Sequence, residues 1–128
     1  MLAVLALGVV AWFVVGYRET RLEARGDAAL AALRAHDLSP AVGRDGLQAF
    51  ADAQWLNPDQ APLIKEGELS FFLGRRDKAA AIAKDVTAAE PENVSGWFLA
   101  YLVERGPART EAGERVKGLD PWVGDKLP

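Results

Sequence analysis

The sequence predicts an all-α fold in which an N-terminal transmembrane helix is followed by antiparallel helical hairpins stacked in a short array. Two observations carry this prediction. Residues 1–17 contain no charge, so all 15 Lys and Arg and all 18 Asp and Glu lie in residues 18–128. Pro58, Pro91 and Pro121 each follow a helix-compatible segment and are spaced by 33 and 30 residues. Because proline disfavours the helical conformation of the residue before it, each one marks a helix end.

The composition of the 128 residues excludes several classes of function. Without cysteine the chain has no disulfide, no thiolate metal site and no thiol nucleophile. The net charge of -3 and the isoelectric point near 5.2 argue against a nucleic-acid partner, because phosphate binding needs clustered Lys and Arg. The partners that we expect are therefore protein and lipid.

Residues 1–17 are expected to form a membrane anchor. A helix of that length spans roughly 25 Å at ~1.5 Å per residue, slightly less than a hydrocarbon core of about 30 Å. Aromatic side chains cluster at the C-terminal end of this segment, where an aromatic ring gains by lying at the lipid headgroups. The residues expected to contact lipid are Leu5, Val9, Trp12, Phe13 and Tyr17.

Two alternatives to the anchor stay open. A cleaved signal peptide agrees with the length and with the small residues Val14 and Gly16, although no Lys or Arg precedes the segment. A buried core helix is disfavoured because apolar residues lie on every face. Arg18, Arg21 and Arg25 follow the segment, which favours a single-pass protein with its C-terminal part in the cytoplasm and leaves a periplasmic or extracellular side open.

The remainder, residues 18–128, is expected to form one helical domain. Its three units cover about 22–58, 60–91 and 94–121. The middle unit has the clearest pattern, with a helix at Ala61–Leu73, a turn, and an alanine-rich helix at Lys78–Ala89. Gly67 in the first of these helices costs about 1 kcal/mol relative to Ala, so it indicates a close approach by the second helix, at Ala79 and Ala83.

The first unit is joined closely to the anchor. Arg18–Ala35 has the pattern of a helix with a solvated face, and we expect it to continue directly from the anchor, with a bend at Gly26. His36–Asp45 contains Pro40 and Gly43 and is expected to be the loop that leads to the next helix.

Several residues in the three units stand at positions where one known helical repeat has residues of the same kind. They are Phe50, Ala53, Leu56 and Pro58 in the first unit, Leu63, Gly67, Gly74, Ala79 and Pro91 in the second, and Trp97 and Pro121 in the third. This pattern resembles the tetratricopeptide repeat, which implies helical hairpins stacked as a short α-solenoid. A generic antiparallel helical bundle is the alternative.

We find no residue pattern that predicts an enzyme, a cofactor site or a metal site. His36 is the only imidazole, and Asp37 beside it does not complete a catalytic triad. Neighbouring pairs of acidic residues do not converge as metal ligands do.

The function expected is therefore that of a membrane-anchored protein–protein interaction module, an adaptor or assembly factor without catalytic activity. The resemblance implies a concave face lined by the first helix of each unit. The residues expected to bind the partner there are Ile64, Lys65, Glu68, Phe71, Phe72, Phe98, Leu102 and Arg105. Two alternatives are an accessory structural subunit of a larger membrane complex, and the C-terminal span and tail of an envelope glycan ligase or polymerase.

Overall fold

The computed structural model describes residues 2–37, 39–57 and 59–127, and the side chains of residues 2–11 and 56 lie outside that description. The described residues form seven α-helices and no strand, so the all-α prediction is confirmed. The helices are α1 (Leu2–Arg34), α2 (Pro40–Leu56), α3 (Ala61–Phe72), α4 (Arg76–Ala89), α5 (Val94–Val103), α6 (Gly106–Leu119) and α7 (Pro121–Gly124). The chain divides into two compact units, Met1–Pro62 and Leu63–Pro128.

The prediction of a transmembrane helix is wrong. Among the described residues, no helix is long and apolar enough to cross a membrane. The physical reason is charge, because α1, 33 residues long in all, does not end with the apolar segment but continues to Arg34. Its part from Trp12 to Ala29 includes six charged residues, beginning with Arg18. The finding also weighs against the single-pass localisation.

In the first unit, α1 packs against α2 at a glycine. Gly26 is buried, and a Cβ atom there would overlap with the ring of Phe50, which is fully buried in α2. Gly26 therefore permits close packing, and α1 continues through it as one helix. Arg25 and Asp45 form an ion pair of 2.7 Å between the same two helices, but both side chains are mostly exposed, so its contribution to stability is small.

The segment expected to be a loop, His36–Asp45, becomes helical at Pro40, where α2 begins. Proline is tolerated at the first position of a helix because the N–H that it lacks has no partner within the helix. Ser39 is the N-cap, and its hydroxyl accepts a hydrogen bond from the backbone N–H of Val42 at 3.3 Å. Pro40 therefore begins a helix here and does not break one.

Two helices end in the same turn geometry. After α1, His36 has φ 59°, and its N–H donates to the carbonyl of Leu33 while the next N–H donates to Ala32. After α3, Gly74 has φ 77°, and its N–H donates to Phe71 while the next N–H donates to Ser70. This is the Schellman arrangement, in which a left-handed residue satisfies the last carbonyls of the helix. At the end of α1, His36 occupies a position that favours glycine.

In the second unit, a core of small and branched side chains joins α3, α4, α5 and α6. Its central residues include Ile82, Val86 and Leu99. Gly67 of α3 lies against this core, and a Cβ atom there would overlap with Leu99 and approach Cγ2 of Ile82 to 3.0 Å. The close approach predicted for Gly67 is therefore present, but the side chains nearest to it are those of Leu99 and Ile82 and not those of the predicted alanines.

Two of the three helix ends predicted from prolines are confirmed. Helix α4 ends at Ala89 before Pro91, and α6 ends at Leu119 before Pro121. Pro58 lies outside the described residues. After α7, Leu127 folds back and packs against the core, near Gly113 of α6.

Candidate interaction surface

Arg76 links the first turn of α4 to the end of α5. Its Nε donates to the carbonyl oxygen of Val103 at 2.7 Å, and its Nη2 donates to that of Glu104 at 3.2 Å. The last carbonyls of a helix have no partner within the helix, and a cation also interacts favourably with the negative end of the helix dipole. Arg76 therefore caps α5 from a neighbouring helix.

Two phenylalanines lie beside this arginine at the end of α3. The guanidinium of Arg76 lies 5.9 Å from the centre of the Phe71 ring. Phe71 and Phe72 meet edge to face, with ring centres 5.4 Å apart. Phe71 packs partly against the core, whereas 56% of Phe72 is exposed to solvent. An exposed aromatic ring is thus held in place by a half-buried one.

A surface groove of about 490 Å³ continues from Arg76 along the start of α4 and the end of α5. Its lining residues are Arg76, Asp77, Ala80, Val103, Glu104 and Arg105. Arg105 is exposed and lies at the N-cap position of α6, where its side chain makes no capping hydrogen bond. We call Phe71, Phe72, Arg76 and this groove the α3–α5 surface. It combines an apolar ring with charges of both signs.

The residues predicted to bind a partner fall into three groups. Ile64 is buried in the core and offers almost no surface. The half-buried residues are Lys65, Glu68, Phe71, Phe98 and Leu102. Phe72 and Arg105 are exposed. The structure brings Phe71, Phe72 and Arg105 toward Arg76, which is the shared element of the α3–α5 surface.

Comparison with known proteins assigns no family to this chain. No protein-family model, curated protein or solved structure matches this chain. Any functional conclusion must therefore come from the residues themselves.

Arg76 is not among the residues predicted from the sequence to bind a partner. A basic side chain in the first turn of a helix is unfavourable next to the positive end of the dipole. Its position at the start of the alanine-rich helix was therefore a signal of a specific contact elsewhere. The contact itself joins residues 27 and 28 positions apart, so local sequence patterns could not supply it.

An ion pair with one buried partner joins α3 to α4. Glu66 is 4% exposed, and its carboxylate lies 2.6 Å from Nζ of Lys78 in α4. One turn further along α3, the Oγ atom of Ser70 is buried and makes no hydrogen bond among the described residues. In the described part of the chain, no group of three or more His, Asp or Glu is arranged to hold a metal ion. The pair therefore links α3 to α4.

The residues predicted to contact lipid lie on α1. Trp12, Phe13 and Tyr17 are all strongly exposed. The side chains of Leu5 and Val9 lie outside the described residues.

Proposed function

We propose that this chain is a non-catalytic protein–protein interaction module, built of helix pairs of the tetratricopeptide type, that binds a protein partner on the α3–α5 surface. The observation that carries the proposal is the exposed ring of Phe72, fixed against Phe71 next to the guanidinium of Arg76. A rigid aromatic side chain supplies contact area at a small entropic cost, which is why aromatic residues are frequent among the strongest contributors to binding.

The charges around the groove support a protein partner more than a small uncharged ligand. Asp77 and Glu104 carry negative charge and Arg105 carries positive charge, all within the same groove. Arg76 already donates two hydrogen bonds to α5, so Arg105 is the better candidate for an ion pair with the partner. We expect an apolar side chain of the partner on Phe72, with polar contacts around the groove that set the register.

Photo-crosslinking tests this proposal at the level of single residues. The photoreactive amino acid p-benzoylphenylalanine would replace Phe72 in one variant and Arg105 in another, and the full chain would be irradiated in its native cells. We expect both variants to form the same covalent adduct with one protein, which mass spectrometry then identifies.

The matched control places the same photoreactive amino acid at Trp55, an aromatic residue of α2 that is 87% exposed. This position should not form that adduct. The proposal is wrong if positions 72 and 105 yield no common adduct, or if position 55 yields the same adduct with equal efficiency.

A further inference from the structure

The part of α1 that precedes its charged half presents an unusual run of exposed apolar side chains. Trp12 is 78% exposed, Phe13 is 71% exposed and Tyr17 is 63% exposed, and Val14 and Val15 between them are also exposed. Single exposed apolar residues are ordinary on protein surfaces, but a contiguous group of this size marks a surface that something else covers.

The distribution of these residues around the helix indicates what covers them. Trp12, Phe13, Val14 and Val15 are consecutive, and four residues complete a full turn at about 3.6 residues per turn. A protein that packs on one side of a helix covers a single stripe of it. Apolar exposure around the whole circumference instead fits a medium that surrounds the helix, and lipid is such a medium.

The charges that follow the run fit a lipid surface as well. Arg18 and Arg21 are exposed, and the guanidinium of Arg21 lies 4.9 Å from the centre of the Tyr17 ring. Aromatic side chains followed by arginine are typical of the boundary between lipid headgroups and acyl chains. Glu19 and Glu23 are interleaved with the arginines, so the attraction to anionic lipid is moderate.

We propose that Trp12–Tyr17 inserts into the headgroup region of a lipid bilayer, with Arg18 and Arg21 contacting lipid phosphates. These six residues extend over about 9 Å of helix at ~1.5 Å per residue, roughly a third of a hydrocarbon core of about 30 Å. The contact therefore requires one face of the bilayer and no span. It is independent of the function proposed for the α3–α5 surface.

Vesicle flotation tests the proposal with the full chain. The probes are vesicles of phosphatidylcholine alone and vesicles of phosphatidylcholine and phosphatidylglycerol in equal parts. We expect the chain to float with both, and more with the anionic vesicles. The double variant Trp12→Ser, Phe13→Ser should bind roughly tenfold less to both, because two large aromatic side chains no longer bury their area in the interface.

Two further variants make the result specific. Trp55→Ser removes an aromatic residue that is also highly exposed but lies on α2, and its flotation should equal that of the parent chain. The double variant Arg18→Gln, Arg21→Gln should lose only the preference for anionic vesicles. The proposal is overturned if the parent chain does not float, or if the Trp12/Phe13 variant, shown folded by circular dichroism, floats as well as the parent. It is also overturned if the Trp12/Phe13 variant loses self-association, measured by ultracentrifugation, but keeps the vesicle binding of the parent chain.

Discussion

Nε of Arg76, in the first turn of α4, donates a 2.7 Å hydrogen bond to the carbonyl oxygen of Val103, the last residue of α5. Together with the bond from Nη2 to Glu104, this contact satisfies two carbonyls that the helix itself leaves without partners. The same guanidinium lies beside Phe71, so one side chain fixes both the end of α5 and the aromatic pair of the α3–α5 surface.

Replacing Arg76 should therefore destabilise the second unit. We expect Arg76→Gln to lower the free energy of unfolding by about 1–3 kcal/mol, because hydrogen bonds from a charged donor contribute roughly that amount. Urea denaturation followed by circular dichroism measures the change. Arg75→Gln is the matched control, since Arg75 is exposed and makes no capping hydrogen bond. If the Arg76 variant were as stable as the parent, the two hydrogen bonds would contribute nothing measurable to the free energy of unfolding.

Gly67 should not tolerate a side chain. Alanine there would gain about 1 kcal/mol of helix propensity, but overpacking against Leu99 and Ile82 costs about 1–3 kcal/mol. We therefore expect Gly67→Ala to lower the thermal midpoint of unfolding. Gly118→Ala provides the comparison in α6, because a Cβ atom at that exposed position meets nothing within 4 Å. It should be neutral or slightly stabilising, and a Gly67 variant that behaves in the same way would contradict the packing described for α3.

The two left-handed residues at helix ends should respond in opposite directions. Left-handed strain of roughly 1–2 kcal/mol at His36 exceeds the ~0.4–1 kcal/mol entropic cost of a new glycine, so His36→Gly should stabilise the chain by about 0.5–1 kcal/mol. Gly74→Ala should destabilise it by about 1 kcal/mol for the same reason. Chemical denaturation of both variants measures the two signs. Changes of the same sign would argue against a shared turn geometry.

The ion pair between buried Glu66 and exposed Lys78 should respond asymmetrically to substitution. Lys78→Ala leaves the Glu66 carboxylate buried without its cation and should cost about 1–3 kcal/mol. Glu66→Leu removes the buried charge, and we expect a neutral or stabilising effect because an apolar residue needs no ionic partner there. Thermal unfolding of the two variants and of the double variant tests this. If Glu66→Leu destabilised more than Lys78→Ala, the pair would contribute net stability.

Sequence patterns predicted the features that depend on local chemistry. Pro91 and Pro121 mark helix ends because proline acts on its immediate neighbours, and Gly74 marks a turn because it adopts a positive φ. Pro40 was misassigned because the same residue type also starts helices, and only the capping contact of Ser39 decides between the two roles.

Features that depend on distant residues could not be predicted in the same way. Gly67 indicated a close approach, but the partner Leu99 lies on α5, 32 residues away, and no pattern identified it. The transmembrane prediction considered residues 1–17 alone, whereas the described part of the helix from Trp12 to Ala29 carries six charged residues. In the structure the apolar run is one end of a 33-residue helix whose charged part packs on α2.

The affinity of the purified chain for the protein captured at position 72 tests the central claim most directly. Isothermal titration calorimetry would compare the parent chain with Phe72→Ala and with Trp55→Ala, which removes an exposed aromatic ring from α2. We predict that Phe72→Ala raises Kd by about tenfold or more, since an aromatic contact at a binding centre contributes roughly 2 kcal/mol, while Trp55→Ala leaves Kd unchanged. Equal Kd values for the parent and the Phe72 variant would contradict the assignment of the α3–α5 surface as the binding site.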